Sequence, residues 1–524
     1  MPHNDDTITL LYTSDIHGHW TRADGQSGGS LACAAQYAAN IRNSHKHVWM
    51  IDNGDLLQGT PLASHIAQNE GECGAEMVGN LLRASGVDMA VPGNHDFDYG
   101  IPYLKGVIAS SSCVWLAANV RHRSGKRLAE SCHIAEFGAR RIAFIGVTTR
   151  VPAWQYPDRL EGWEWHDEVL TVKAIVDHIR SNVDAIVVCY HGGVEQEGVP
   201  DQENAALRMA REVEGIDVLL TGHQHDRFVR REGKTLMLQP GSHGTDIGEV
   251  TLTFLTGEDS KEMVSEGRIA DITEQEESAE VVAEVLKIRD RAEAGLGKVL
   301  CLCDSRFQLH DWHDLTCSEH PIVEWMHRVQ LKESRAQLSA VAYAGEKQLK
   351  LSSGQLTRGD IQRIFPYMDS LSVFQIKGTE LLSALEVSAS WYDEKSQEPH
   401  ADWLKPQLLL YQFIMFEGVQ YTIDLSRPIG SRLRACHYQG QAVRHADSFT
   451  IVMTDYLAGQ ASRYPMLRRM KRLYGIEEPL ARLLESNAGS QRMLRIDYTS
   501  NWEIIGGNVD VDSRNEEEAQ GGGF

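Results

Sequence analysis

The sequence predicts an α/β layered fold for its first half and a smaller α+β domain for its second. Three observations carry this expectation. Short apolar, β-rich runs alternate with stretches of helical length and helical periodicity through the first half, the pattern of packed sheet and helix layers. Residues able to bind metals follow directly on the ends of those runs, where open α/β sheets place their sites. The chain has 524 residues, too many for one ordinary domain, so two are expected.

Residues 8–13, 47–51, 89–91, 141–147, 185–190 and 218–221 read as strands, being short, rich in Val, Ile, Leu and Tyr, and bounded by Gly or polar residues. Between them, 29–44, 72–85 and 168–182 read as helices. Residues 236–239 and 248–254 look like a closing antiparallel pair, which ends a first domain at 1–272. The acidic stretch from 273, free of Pro and Gly to 291 and stopped by Gly295 and Gly297, reads as a helical linker over 273–297. A second domain over 298–505 follows, with helices at 322–331 and 378–392 and strands at 371–376, 421–423 and 448–453. Residues 506–524 are acidic and Gly-rich and are expected to be a disordered tail.

Composition narrows the partners. An apolar content of 42% is ample for two cores. Fifty-one basic against 73 acidic residues give a formal charge of −22, which argues against a surface for a nucleic-acid polymer. A small nucleotide stays possible, because bound cations reverse the potential of a pocket. No run of ~18 apolar residues occurs, so no membrane span is expected. The nine cysteines are scattered, with no Cys-x-x-Cys, and the nearest pair, Cys301 and Cys303, is poorly spaced for a disulfide or a zinc knuckle. Reduced thiols, and a polar start at Met1 to Asp6 without the marks of a secretory signal, lead to the expectation of a cytoplasmic protein.

Five runs hold the ligand types: Asp15-Ile16-His17, Gly54-Asp55, Gly93-Asn94-His95-Asp96-Phe97-Asp98, His191-Gly192-Gly193 and Gly222-His223-Gln224-His225. Asp, Asn and His form a mixed oxygen and nitrogen shell suited to divalent metals such as Mn, Zn or Fe. Asp15, His17, Asp55, Asn94, His191, His223 and His225 are too many for one ion and about right for two that share a carboxylate. Paired metals are the common device for in-line displacement at phosphorus. Any one of these histidines alone would more simply be a core residue; the ordered set argues otherwise.

In order and spacing these runs resemble the calcineurin-like metallophosphoesterase motifs D-x-H, GD, GNH(D/E), H and GHxH. The longer strings Asp52-Asn53-Gly54-Asp55-Leu56-Leu57-Gln58-Gly59-Thr60-Pro61 and Gly93 to Gly100 are similar to the 5′-nucleotidase family, which includes 2′,3′-cyclic-nucleotide 2′-phosphodiesterase/3′-nucleotidases. The resemblance implies a four-layer αββα sandwich followed by a substrate-binding C-terminal domain. It implies two divalent ions (Mn, Zn, Fe, Co or Mg), one on Asp15, His17, Asp55 and His225, the other on Asp55, Asn94, His191 and His223, with Asp55 bridging. It also assigns His95 and Asp98 to transition-state stabilisation. His243 lies in a Gly-Ser-His-Gly turn where the family has an aromatic residue, and is expected to be structural.

In the second domain the resemblance nominates Tyr367, in Phe365-Pro366-Tyr367, and Tyr456, in Thr454-Asp455-Tyr456, as rings that sandwich a base. Two departures stand beside it. The family's Asn-Gly-Gly-Gly-Ile-Arg loop is replaced by Tyr343-Ala344-Gly345-Glu346-Lys347-Gln348, and its Gly-Gly-Asp-Gly by Gln460-Ala461-Ser462-Arg463. Loss of the arginine fork removes a two-point phosphate contact. The segment Leu338-Ser339-Ala340-Val341-Ala342 looks more like the cyclic phosphodiesterase/3′-nucleotidase branch, whereas Asp98 is the 5′-nucleotidase choice. The expected activity is therefore metal-dependent hydrolysis of nucleotides. Alternatives are the cyclic phosphodiesterase/3′-nucleotidase reaction, hydrolysis of a non-nucleotide ester, and a nucleotide sensor without catalysis.

Overall fold

A computed structural model of the chain describes residues 7–22, 28–155, 160–195, 203–255, 262–392, 410–459, 464–497 and 500–506. The expected tail beyond 506 and the Gln460 to Arg463 replacement lie outside the described residues. The chain forms two compact units, Met1–Gly297 and Lys298–Phe524.

In the first unit two six-stranded sheets make the middle layers. One has the order Met263–Asp271, Asp246–Phe254, Thr7–Thr13, Val48–Asp52, Met89–Ala90, Val114–Trp115; the other runs Arg227–Glu232, Thr235–Pro240, Val218–Leu220, Ala185–His191, Arg140–Thr148, Cys132–Phe137. Alternation along each strand explains how both faces are buried. Ile8, Leu10 and Tyr12 join Ile142, Phe144, Val187 and Leu220 in the core between the sheets. Leu11 and Met50 face outward onto the helices Leu31–Arg42 and Gly71–Ser85. Ile145, Val147 and Val188 face the opposite way onto Glu168–Ile179 and Ala206–Glu212. The result is the αββα order expected from the resemblance.

The inner strands are parallel: Thr7–Thr13 with Val48–Asp52, that strand with Met89–Ala90, and Arg140–Thr148 with Ala185–His191, itself parallel to Val218–Leu220. Parallel pairing brings the carboxyl ends, and so the five ligand runs, to one edge of each sheet. One pairing differs from expectation. The strands Thr235–Pro240 and Asp246–Phe254 do not pair with each other but lie in different sheets, each in a hairpin with its own edge strand, Arg227–Glu232 and Met263–Asp271. Those edge strands mix charged with apolar residues and bury only Ser265, so no apolar run announced them.

The helix Ala279–Leu296, where a linker was expected, falls within the first unit. Its stripe of Val281, Val285, Ile288 and Ala292 belongs to the first unit's core, at spacings that keep one helical face inward. The second unit holds a five-stranded sheet ordered Met415–Glu417, Leu338–Val341, Ser448–Thr454, Leu371–Lys377, Lys471–Ile476, with four- and three-stranded sheets and the helices Pro321–Ser334 and Gly378–Ala389. Among the described residues no helix is long and apolar enough to cross a membrane.

Candidate metal centre

The site begins as loops tied edge to edge. Asp15 N donates to Gly54 O at 2.9 Å and His17 N to Asp55 O at 2.7 Å, which joins the first two ligand runs. The buried Asp96 carboxylate joins the third: it accepts from Gly93 N (2.7 Å), Asp55 N (2.9 Å), Leu56 N (3.0 Å) and Leu57 N (2.9 Å). His191 Nδ1 donates to Asn53 O at 2.7 Å, and His223 N donates to the Asp15 carboxylate at 3.0 Å. The sequence reading left Asp96 without a role; the structure makes it the brace of two ligand loops.

This closeness demands unusual backbone. Asp15 (φ 57°), His17 (49°), Asp55 (59°), His223 (72°) and His225 (60°) all lie in the left-handed region, which costs energy for residues with a Cβ. Such strain concentrates where function fixes a side chain. Gly93 is required for a related reason: a Cβ there would lie 2.2 Å from Asp55 Oδ1, so the loops could not approach.

All seven expected ligands come together, in two groups. In the first, His17 Nε2 and His225 Nε2 are 3.0 Å apart, and Asp15 Oδ1 is 3.5 Å from His225 Nε2 and 4.0 Å from His17 Nε2. In the second, Asn94 Oδ1 is 3.1 Å from His191 Nε2 and 2.8 Å from His223 Nδ1, and Asp55 Oδ2 is 3.3 Å from His191 Nε2. The same Asp55 oxygen is 3.8 Å from His17 Nε2, so one oxygen faces both groups. Its other oxygen accepts from His95 N at 2.7 Å.

The residues fit divalent cations. Asp15, His17 and His225 converge, as do Asp55, His191 and His223, each trio offering three ligand atoms to one point. Asn94 is fully buried, turns its Oδ1 to two imidazoles and leaves Nδ2 without a partner. Carboxylate, amide oxygen and imidazole are the donors that Mn, Zn and Fe accept.

Electrostatics point the same way. Burial alone would raise Asp15, but the hydrogen bond and charge of His225, with His191, hold its carboxyl well below the usual range. Burial is likewise outweighed at Asp55 by His191, His95 and His17, so both carboxylates stay ionised. Burial would depress His191, yet Asp55 beside it raises this imidazole to about 10, a proton that a bound cation would displace. Burial takes His17 down to about 3, leaving a neutral imidazole with a free lone pair for a metal.

Beside the groups, His95 Nδ1 lies 3.2 and 3.3 Å from the oxygens of the buried Asp98. Its ring stands 5.6 Å from that of His17 and keeps 13% of its side chain exposed. His243 is closer than its turn suggested: its ring is 5.9 Å from His17, 5.8 Å from His225 and 4.4 Å from His19. Glu203 was missed altogether. Its Oε1 is 2.7 Å from His223 Nε2, a contact made through the fold that no local motif signals.

In the second unit, Tyr367 precedes the strand Leu371–Lys377 and Tyr456 follows the strand Ser448–Thr454. These strands are antiparallel neighbours, with Leu371 opposite Thr454 and Asp455 N donating to Ser370 O at 2.9 Å. Both tyrosines, each partly buried, therefore lie at one end of the same strand pair.

Comparison with known proteins gives two family matches: residues 8–227 to the calcineurin-like phosphoesterases and residues 308–469 to the 5′-nucleotidase C-terminal domain. The chain is 22% identical over 567 residues to the trifunctional nucleotide phosphoesterase protein YfkN of Bacillus subtilis, covering 95% of this chain but only 39% of that longer protein. It is 22% identical over 535 residues to the 2′,3′-cyclic-nucleotide 2′-phosphodiesterase/3′-nucleotidase of Salmonella typhimurium, covering 86% of this chain and 81% of the relative. Among solved structures, a provisionally named 5′-nucleotidase from Staphylococcus aureus, in complex with α-ketoglutarate, superposes with a TM-score of 0.82 at 25% identity, covering 95% of this chain and 100% of the other.

Proposed function

The chain belongs to the 5′-nucleotidase family of calcineurin-like phosphoesterases, and on that premise we propose that it hydrolyses nucleotides to nucleosides and phosphate at a centre of two divalent metals. Membership makes it a metal-dependent hydrolase of phosphoesters. The observation that carries the dinuclear reading is the position of Asp55: one oxygen faces His191 at 3.3 Å and His17 at 3.8 Å, between two groups of donors. A shared carboxylate offsets the repulsion of two close cations.

One ion is assigned to Asp15, His17, Asp55 and His225, the other to Asp55, Asn94, His191 and His223. When bound, the ions supply Lewis-acid activation of water and neutralise charge on the phosphoryl oxygens. Asp55, besides ligating, fixes the next loop by accepting from His95 N. That bond sets where the His95 ring stands, and Asp98 orients it through Nδ1, so that Nε2 is presented to the phosphoryl group. In the second unit Tyr367 and Tyr456 are assigned to the base.

A second reading, the 2′,3′-cyclic-nucleotide 2′-phosphodiesterase/3′-nucleotidase reaction, is favoured by the loop Tyr343 to Gln348. That loop carries Gln348 where the 5′-nucleotidase pattern has arginine, and the preceding segment Leu338 to Ala342 looks like the cyclic phosphodiesterase branch. The nine scattered cysteines, with no Cys-x-x-Cys pair, fit the expected cytoplasmic location, which fractionation of the native host would check.

The deciding experiment is turnover of 5′-, 3′- and 2′,3′-cyclic nucleotides by metal-stripped protein resupplied in turn with Mn²⁺, Zn²⁺, Fe²⁺, Co²⁺ and Mg²⁺. Hydrolysis of 5′-nucleotides in preference to the others is expected. Preference for cyclic and 3′ substrates selects the second reading. If only a generic aryl phosphate is cleaved, the substrate is a non-nucleotide ester; no turnover of any ester leaves a sensor.

A further inference from the structure

The two donor groups differ in how their imidazoles are held. His191 and His17 each turn the ring nitrogen away from the cluster onto a backbone carbonyl, His191 Nδ1 to Asn53 O at 2.7 Å and His17 Nδ1 to Gln58 O at 3.3 Å. His223 is held by a carboxylate: Nδ1 faces Asn94 Oδ1 at 2.8 Å while Nε2 faces Glu203 Oε1 at 2.7 Å. Both partners are acceptor oxygens, so a cation seated between Nδ1 and Asn94 Oδ1 requires the hydrogen on Nε2, donated to the Glu203 carboxylate, with the Nδ1 lone pair turned to the metal. His225 has the opposite environment, with 40% of its side chain exposed.

Glu203 is itself anchored. Its backbone carbonyl accepts from Thr149 Oγ1 at 2.6 Å and from Tyr190 OH at 3.4 Å. Tyr190 lies in the strand Ala185–His191 next to His191, and Thr149 follows Arg140–Thr148 directly, so Glu203 is anchored to the sheet that carries His191 and His223. The next residue adds a tie, since Asn204 Oδ1 accepts from Gly193 N at 2.9 Å. Meanwhile His223 N is fixed on the Asp15 carboxylate. Both the backbone and the far ring nitrogen of His223 are thus constrained.

We propose that Glu203 is a positioning residue: by fixing the tautomer and ring orientation of His223 it makes the Asp55–Asn94–His191–His223 group the tighter of two divalent-cation sites, and leaves the Asp15–His17–His225 side the exchangeable one. The inference rests on the dinuclear reading above. A carboxylate partner also makes an imidazole a stronger donor than a carbonyl partner does, and loss of such a partner costs about 10–100-fold in metal affinity.

The test is an equilibrium titration of metal-stripped protein with Mn²⁺, following the free ion by electron paramagnetic resonance. Wild type is expected to bind two ions per chain, one more tightly. Glu203→Ala should weaken the tighter ion toward the upper end of about 10–100-fold and leave the weaker unchanged. Glu203→Gln keeps an acceptor oxygen without the charge, and should weaken the same ion by about tenfold. That graded response is not what a purely structural role gives, and Glu203→Gln decides alone if the alanine variant does not fold. His225→Ala, which should abolish only the weaker ion, assigns the two constants. Wild-type constants in the Glu203 variants, or weakening confined to the other ion, would overturn the proposal while leaving the dinuclear reading intact. A wild-type protein that binds no Mn²⁺ would instead remove the dinuclear reading and this inference with it.

Discussion

The two units hold their candidate functional residues by different means. In the first, ligand loops are fastened to one another through backbone bonds, through the Asp96 carboxylate and through left-handed residues that only a dense network can hold. In the second, Tyr367 and Tyr456 simply flank one end of an antiparallel pair, partly buried, with no strained backbone at either. The difference follows the chemistry each would serve. Metal ligation and phosphoryl transfer need placement to within about 0.5 Å, whereas stacking on an aromatic face tolerates slippage and accepts many bases. Rigidity is concentrated where geometry sets the rate.

The largest effect should come from Asp55, the carboxylate proposed to bridge. Asp55→Asn removes charge from both groups at once, so metal content measured by elemental analysis should fall further than in His17→Ala or Asn94→Ala. Turnover should drop by more than on the order of 10³-fold, the upper end for losing a single transition-state donor. Two ions per chain with wild-type activity in this variant would break the contrast between the units, since the first would then have no shared ligand to protect.

Next in size is His95→Ala. It should retain its metals and slow kcat on the order of 10²–10³-fold, the usual loss for one donor to the transition state. Asp98→Asn, which leaves the ring in place but weakens its orientation, should act in the same direction and less. Unchanged kcat in His95→Ala would reduce His95 to a loop residue whose only service is its backbone bond to Asp55.

How far these features could be read from sequence depends on whether they are local. Each of the seven candidate ligands ends a strand or follows one within a few residues, so motif and strand prediction pointed to them together. The fold was legible in its inner strands for the same reason: 142–147 and 185–190 are apolar on both faces because both faces are buried. The edge strands Arg227–Glu232 and Met263–Asp271 were not legible, because an exposed edge has no apolar signature. In Ala279–Leu296 four buried residues stand amid Glu, Lys and Arg, so composition suggested a solvated connection while the spacing of Val281, Val285, Ile288 and Ala292 already encoded one buried face. Glu203 lies 20 residues before His223 and meets it only through the tertiary fold.

The smallest expected effect tests the other side of the contrast. If Tyr456 stacks on a base, Tyr456→Ala should lower kcat/KM for a nucleotide while leaving a small aryl phosphate nearly unaffected. Stacking is available only to a substrate with a base, whereas the metal centre meets the same phosphoryl group in both. One lost stack of roughly 1–3 kcal/mol corresponds to a ~5- to 150-fold change, and it should appear mainly in KM, because the interaction is made alike in ground and transition states. Tyr367→Ala should behave in the same way, and the double variant should lose no more than the sum. An equal loss on both substrates would mean that the ring supports the fold of the strand ends at Leu371 and Thr454. No loss on either would place the substrate outside the nucleotides and leave selection to some other part of the second unit.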